Sequence, residues 1–164
     1  MTTKIFVDLE FSDLKSTAVL ISAAFVSDRN ESLYIEVEES FWRPHASQFV
    51  LEVVQPLLSG SGLPASQVAG KIVGWIKGRG SDVTLISDSD WDQKMLIKHL
   101  RYAGYCRPNW HWEKVPMDLP PKLRPNFNAA YVEWFLRSGR AQHHALNDAQ
   151  ALRDTYLSVM SAPE

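Results

Sequence analysis

At 164 residues and 45% hydrophobic, the chain is long enough for one domain with a substantial core, and residues 1–164 are read as a single domain. Its net charge of −2 excludes the strongly basic balance of a dedicated DNA-binding module. That mean hides an asymmetry: residues 1–60 hold four basic and nine acidic side chains, whereas residues 101–140 hold seven basic and three acidic. Such a pairing suits a site that holds cations and receives a polyanion.

The first element is Lys4–Phe11, where Ile5, Phe6, Val7, Leu9 and Phe11 predict a central strand covered on both faces. Ser12–Ser16 is a polar turn, Thr17–Val26 a second apolar strand, and Ser32–Glu39 a third with one wet face. Short connections make these an antiparallel meander. Ala46–Leu58 and Pro64–Lys77 carry helical spacing, with Pro64 in a plausible first turn and Gly78–Gly80 breaking the second helix. Asp82–Ser87 is a short apolar strand, followed by the capping residues Asp88–Ser89–Asp90 and a helix from Trp91 to about Ala103. Asn109–Pro116 predicts a fifth strand with Trp110 and Trp112 on one face. Met117–Pro125 reads as a proline-rich loop, Phe127–Leu136 as a helix ended by Gly139, and Ala145–Met160 as a last amphipathic helix. The pattern predicts a mixed α/β sheet flanked by helices.

Cys106 is the single cysteine, which excludes an internal disulfide and a thiolate zinc cluster and fits a reducing compartment. The N-terminus has no signal-peptide pattern, and no apolar run approaches the ~20 residues that span a bilayer. A cytoplasmic protein without a membrane partner is therefore expected.

Chemistry concentrates in four places. Asp8 and Glu10 alternate with apolar residues, so both emerge on one strand face, ~7 Å apart. Two carboxylates there repel each other and lose hydration unless a cation, held by oxygen ligands, lies between them. A strand end running out into solvent would account for the same pair. The second place is Ser87–Asp92, at the carboxyl end of a strand, where α/β sheets usually bind ligands. Capping by Asp90 and a helix-dipole role for Asp92 explain part of it, but three acids in five residues exceed what a cap needs. The third is His143–His144–Ala145–Leu146–Asn147–Asp148, which offers a carboxylate ligand beside an imidazole able to act as general base near neutral pH. Surface histidines before a helix with an acidic first turn are the plain alternative. The fourth is the basic run Arg101–Arg140, including Arg107 and Lys114, interleaved with Tyr102, Tyr105, Trp110, Trp112, Phe127 and Tyr131. Phosphate contact and base stacking would use that mixture, although most of these aromatics sit at core spacing. His99 and His111 are isolated and carry little weight.

Three of these motifs, Asp8–Leu9–Glu10, Trp91–Asp92 and His143–Asp148, come in the order of one family and span nearly the whole chain. Together they resemble the DEDDh branch of the DnaQ-like 3′–5′ exonucleases. The resemblance implies an RNase H-like fold with a five-stranded mixed sheet flanked by helices. It implies that Asp8, Glu10, Asp92 and Asp148 are catalytic acids holding two Mg²⁺ or Mn²⁺ ions, and that His143 is the base while His144 occupies a variable position. It also implies a single-stranded nucleic-acid substrate shortened from its 3′ end to nucleoside 5′-monophosphates. Two positions depart from the common pattern. Asp88 stands where the family often has Asn, and Phe11 follows Glu10 where proofreading members often have Thr. With the chain's length, the Asp-x-Glu-Phe opening is similar to the small stand-alone exoribonucleases of the RNase AS kind. Phe11, Asp88 and Trp91 are the expected substrate contacts, RNA is favoured over DNA, and a homodimer fits what such small enzymes often form. Two alternatives compete: a 3′–5′ exodeoxyribonuclease for proofreading or repair trimming, and a non-catalytic nucleic-acid-binding module.

Overall fold

The computed structural model describes residues 2–106 and 110–161. Its elements are β1 (Thr3–Phe11), β2 (Leu20–Ser27), β3 (Ser32–Glu36), α1 (Glu39–Trp42), α2 (Ala65–Lys77), β4 (Val83–Ser87), α3 (Asp90–Tyr102), β5 (His111–Lys114), α4 (Arg124–Ser138) and α5 (Ala145–Ser161). The five strands form one sheet in the order β3-β2-β1-β4-β5. β1 pairs antiparallel with β2 and parallel with β4, and β4 pairs parallel with β5, so the sheet is mixed as predicted.

Period-two alternation divides the sheet into two faces. Ile5, Val7, Leu9, Phe25, Ile35 and Leu85 point to one face, under Val68, Ile72 and Ile76 of α2 and Leu96 and Leu100 of α3. Trp110 and Trp112 pack on this same core, as their spacing suggested. Phe6 and Ile86 point to the other face and meet Leu152, Tyr156 and Val159 of α5 and Phe127 of α4. Ala145 and Ala149 of α5 lie against Ala24 and Val26 of β2, all fully buried. With almost no side-chain bulk at three of these four positions, α5 comes close to the sheet. No helix among the described residues is long and apolar enough to cross a membrane.

Four local expectations change. The helix expected over Ala46–Leu58 is present but irregular: after α1 and a tight turn at Arg43–His45, the chain is helical from Gln48, widens to a π-type turn at Val50–Val54 and tightens at Gln55–Leu57. Pro56 explains much of this, since it cannot donate a backbone hydrogen bond and its ring crowds the preceding turn. The second and third strands are shorter than predicted, because Thr17–Val19 is taken up in a turn and the chain bends into α1 after Val37. Ser89, not Asp90, caps α3: its Oγ accepts from the Trp91 amide at 3.0 Å, while Asp90 pairs with Lys114. The loop Met117–Pro125 contains a helical turn at Pro121–Leu123, and α4 begins at Arg124 with Pro125 in its first turn. The start of the expected fifth strand at Asn109 and the basic residue Arg107 lie outside the described residues.

Candidate active site

β1 runs on after its pairing with β4 ends at Phe6 and Ile86, and the crevice that opens there exposes the Asp8–Glu10 edge. Asp92, on the first turn of α3, closes over it: its Oδ1 accepts the Leu9 backbone N–H at 3.1 Å, and the side chain is 3% exposed. From the opposite side α5 brings in Asp148, whose Oδ2 accepts the His144 N–H at 2.9 Å. The Tyr131 hydroxyl of α4 and the His143 backbone also hydrogen-bond to that carboxylate. Helix capping is thus a true description of Asp148 and an incomplete one, because ligand oxygens of Asp8, Glu10 and Asp148 all lie within 4.8 Å of one another.

Those groups are electrostatically frustrated. Burial pushes Asp8 well above its ordinary pKa, and the charges of Asp92, Asp148, Glu10 and Asp88 push it further. Burial, then Asp148 and Asp88, raise Glu10 to about 7. Asp148 also rises to about 7, mainly by burial and against the pull of its backbone donors. Asp92 is raised by burial and by Asp88. Asp88, exposed on one side but flanked by the cleft walls, is also raised, by partial loss of hydration.

The acids form the floor of a cleft of about 730 Å³ that also includes Phe11, Asp13, Leu14, Phe49, Asp88, Trp91, Tyr131 and His143. The structure therefore brings all five expected catalytic residues and all three expected substrate contacts to one cavity. None of the described Lys or Arg residues lines it. Much of the basic run is engaged elsewhere: Lys114 with Asp90, Arg124 with the Leu119 and Met117 carbonyls, and Arg137 with Glu133. Of the aromatics in that run, Tyr131 alone reaches the cleft.

His143 is exposed at the rim with φ +62°, in the left-handed region that few L-residues adopt, and its ring meets the edge of Phe49 at 5.1 Å. His144 points elsewhere. It stacks on Tyr34 of β3 at 4.8 Å and 25°, and burial lowers its pKa. Tyr34 in turn donates to Glu36 at 2.8 Å, and the buried Glu36 carboxylate also accepts the Ser59 and Gly60 amides and the Ser59 hydroxyl. The turn that carries His143 is thus moored to the far edge of the sheet through its neighbour. Sequence reasoning missed Phe49 and Leu14 as parts of the site, and it named Tyr131 only as one of six aromatics of the basic run, without its link to Asp148. Tyr131 and Phe49 sit at helical spacing that reads as core, and Leu14 lies in a turn.

No protein-family model matches the sequence, and no curated protein sequence matches it significantly. Solved structures do. S. pombe Pop2p, in a form with Mg²⁺ and Mn²⁺ bound, superposes with a TM-score of 0.72 at 11% identity, over 96% of this chain and 82% of that one. The nuclease domain of 3′hExo, a DEDDh family member bound to rAMP, gives 0.65 at 12% identity over 96% and 91%. Cell-death related nuclease 4 (CRN-4) gives 0.69 at 11% identity, over 98% of this chain and 64% of its own. The chain has their fold. At such identities the likeness extends to the backbone, and the side chains described above carry the functional argument.

The donor set fits hard divalent cations. It consists of carboxylates, with no thiolate, and oxygen-rich clusters suit Mg²⁺ and Mn²⁺.

Proposed function

We propose that this chain is a divalent-metal-dependent 3′–5′ exoribonuclease that releases nucleoside 5′-monophosphates from single-stranded ends. The observation that carries the reading is the meeting of Asp8, Glu10 and Asp148 within 4.8 Å on the floor of a cleft lined by acids. Such a cleft repels a phosphodiester unless cations enter with it. Asp8, Glu10 and Asp148 would hold one such ion and Asp8 with Asp92 a second; when bound, two ions lower the pKa of water and offset charge on the phosphate and leaving oxygen.

The chain's own groups supply the rest. His143, at the rim beside Asp148, takes the proton of the attacking water. Tyr131 and the His143 and His144 amides fix the Asp148 carboxylate, and the Leu9 amide fixes Asp92, so the ligand set is ordered before substrate arrives. Phe11, Leu14, Phe49 and Trp91 give the cleft apolar walls that suit a terminal nucleoside. The RNA preference and the likeness to the RNase AS kind rest on the Asp8–Phe11 opening, and cytoplasmic location and dimerisation belong to the same reading.

A time course on 5′-labelled RNA and DNA of one sequence, with Mg²⁺ and with EDTA, tests it. A metal-dependent ladder that shortens from the 3′ end, faster on RNA, is expected, and Asp148→Ala should remove it while the circular dichroism of the fold is kept. A faster DNA ladder would move the assignment to an exodeoxyribonuclease. Tight oligonucleotide binding without product under every metal condition would make the chain a binding module.

A further inference from the structure

A second, smaller cavity of about 250 Å³ opens beside the catalytic cleft and shares two residues with it, Asp88 and Tyr131. Its other walls are Pro116, Phe127, Asn128 and Val132. They come from the chain after β5 and from the first half of α4, and Phe127 is buried while Val132 is 55% exposed. The cavity is thus an apolar slot with an amide on its rim and a carboxylate where it meets the cleft. It has room for one base or sugar ring.

Sheet order tells which part of a substrate would reach it. Asp8 and Glu10 stand on β1, in the middle of the sheet. The His143 turn lies on one side of them, moored through His144 to Tyr34 on β3. Asp88 follows β4, and Pro116 follows β5, on the other side. In-line displacement at phosphorus puts the attacking water and the leaving oxygen on opposite sides. If the water is on the His143 side, the leaving 3′ oxygen, with its nucleoside, is directed toward β4 and β5.

Resting on the exonuclease reading above, we infer that this slot seats the nucleoside immediately 5′ to the scissile phosphate, with its ring against Phe127 and Val132 and a hydrogen-bond donor turned to Asp88. A carboxylate cannot welcome a phosphate, so the group it faces is an O–H or N–H of the nucleoside. Two donors share that chemistry, the ribose 2′-hydroxyl and a base exocyclic amine. The slot discriminates among substrates, whereas the metal-binding acids do not.

The test compares an RNA oligomer with the p-nitrophenyl ester of a nucleoside 5′-monophosphate, which keeps the phosphodiester and lacks the upstream nucleoside. Val132→Trp, at an exposed position, fills the slot. KM for the oligomer should rise about tenfold, with turnover of the ester within about twofold of wild type. An unchanged KM, or an equal loss on both substrates, overturns the inference. The Asp88 contact is tested with oligomers carrying a single 2′-deoxy sugar, or uridine in place of cytidine, at the upstream position. Wild type should slow on one of them, which identifies the donor, and Asp88→Asn should lose that discrimination; no slowing on either overturns the contact. A wild-type protein that cleaves neither the oligomer nor the ester would instead remove the exonuclease reading itself.

Discussion

The two faces of β1 are built from neighbouring residues of one strand and make opposite demands on the protein around them. Ile5, Val7 and Leu9 enter a core in which α2 and α3 supply apolar partners, and their burial is simply favourable. On the reverse face Phe6 does the same beneath α5, but the next two positions on that face are Asp8 and Glu10. The helix that desolvates Phe6 also brings Asp148 to the acids, so packing that stabilises one end of the strand destabilises the other. A pleated strand can hold both because its side chains alternate, and the cost stays at the crevice where a cation can offset it.

The largest expected effect comes from removing the acidic side of that contrast. Asp8→Asn should lower kcat/KM by about 10³-fold or more, or about 4 kcal/mol in the barrier. The same variant should raise the metal-free melting temperature at pH 8, because Asp8 is repelled by four neighbouring carboxylates. A variant that loses both activity and stability would show that Asp8 is structural. Ile5→Ala, three residues away on the apolar face, should behave in the reverse way. It should cost about 3 kcal/mol of unfolding free energy in denaturant titration. The folded fraction should keep near wild-type turnover.

Protons and metal ions sharpen the comparison further. Glu10 and Asp148 rise to about 7 from ordinary carboxylate values, so between about pH 4 and pH 7 the native state holds more protons than the unfolded chain. Stability then falls as pH rises through that window. In EDTA the protein should lose on the order of 2 kcal/mol between pH 5 and pH 8 from each of these two groups. Mg²⁺ should restore it, and the restoration should grow with pH because the ion competes with protons for the same oxygens. Melting curves across pH, with and without Mg²⁺, check both signs. A melting temperature at pH 8 indifferent to metal would count against the cation site.

The apolar face was the more legible of the two, and the reason is physical. Period-two alternation and helical spacing are written in adjacent residues, so β1, α2, α3 and α5 could be placed within a few positions. Asp8, Glu10, Asp92 and Asp148 were singled out by the resemblance of three motifs to one family; taken one by one, a strand end in solvent, a helix-dipole role or an acidic first turn accounted for them as well, and it is the fold that gathers them in one cleft. What surrounds them was not legible. Tyr131 reads as one more core aromatic until α4 is laid against α5, and Phe49 belongs to a helical segment whose wide turn before Pro56 spacing alone does not reveal. Charge counts misled for a related reason: the basic run is near the cleft in sequence but spends Lys114, Arg124 and Arg137 on local partners.

The smallest predicted effect concerns the far edge of the sheet, where the apolar and acidic arrangements are joined. Row by row, Asp8 on β1 lies beside Ala24 on β2 and Ala24 beside Tyr34 on β3, so the tyrosine belongs to the acidic face while its ring serves as packing surface. Its hydroxyl is tied to Glu36 and its ring to His144, the neighbour of the proposed base His143. Tyr34→Phe keeps the ring and loses one hydrogen bond, whereas Tyr34→Ala frees the turn. Tyr34→Ala should therefore lower kcat about tenfold, or about 1.4 kcal/mol, with KM nearly unchanged, and Tyr34→Phe should restore most of it. A merely structural role would lower stability in both variants and leave turnover per folded molecule alone. If Tyr34→Ala turns over like wild type, the stack holds the edge of the sheet and not the histidine.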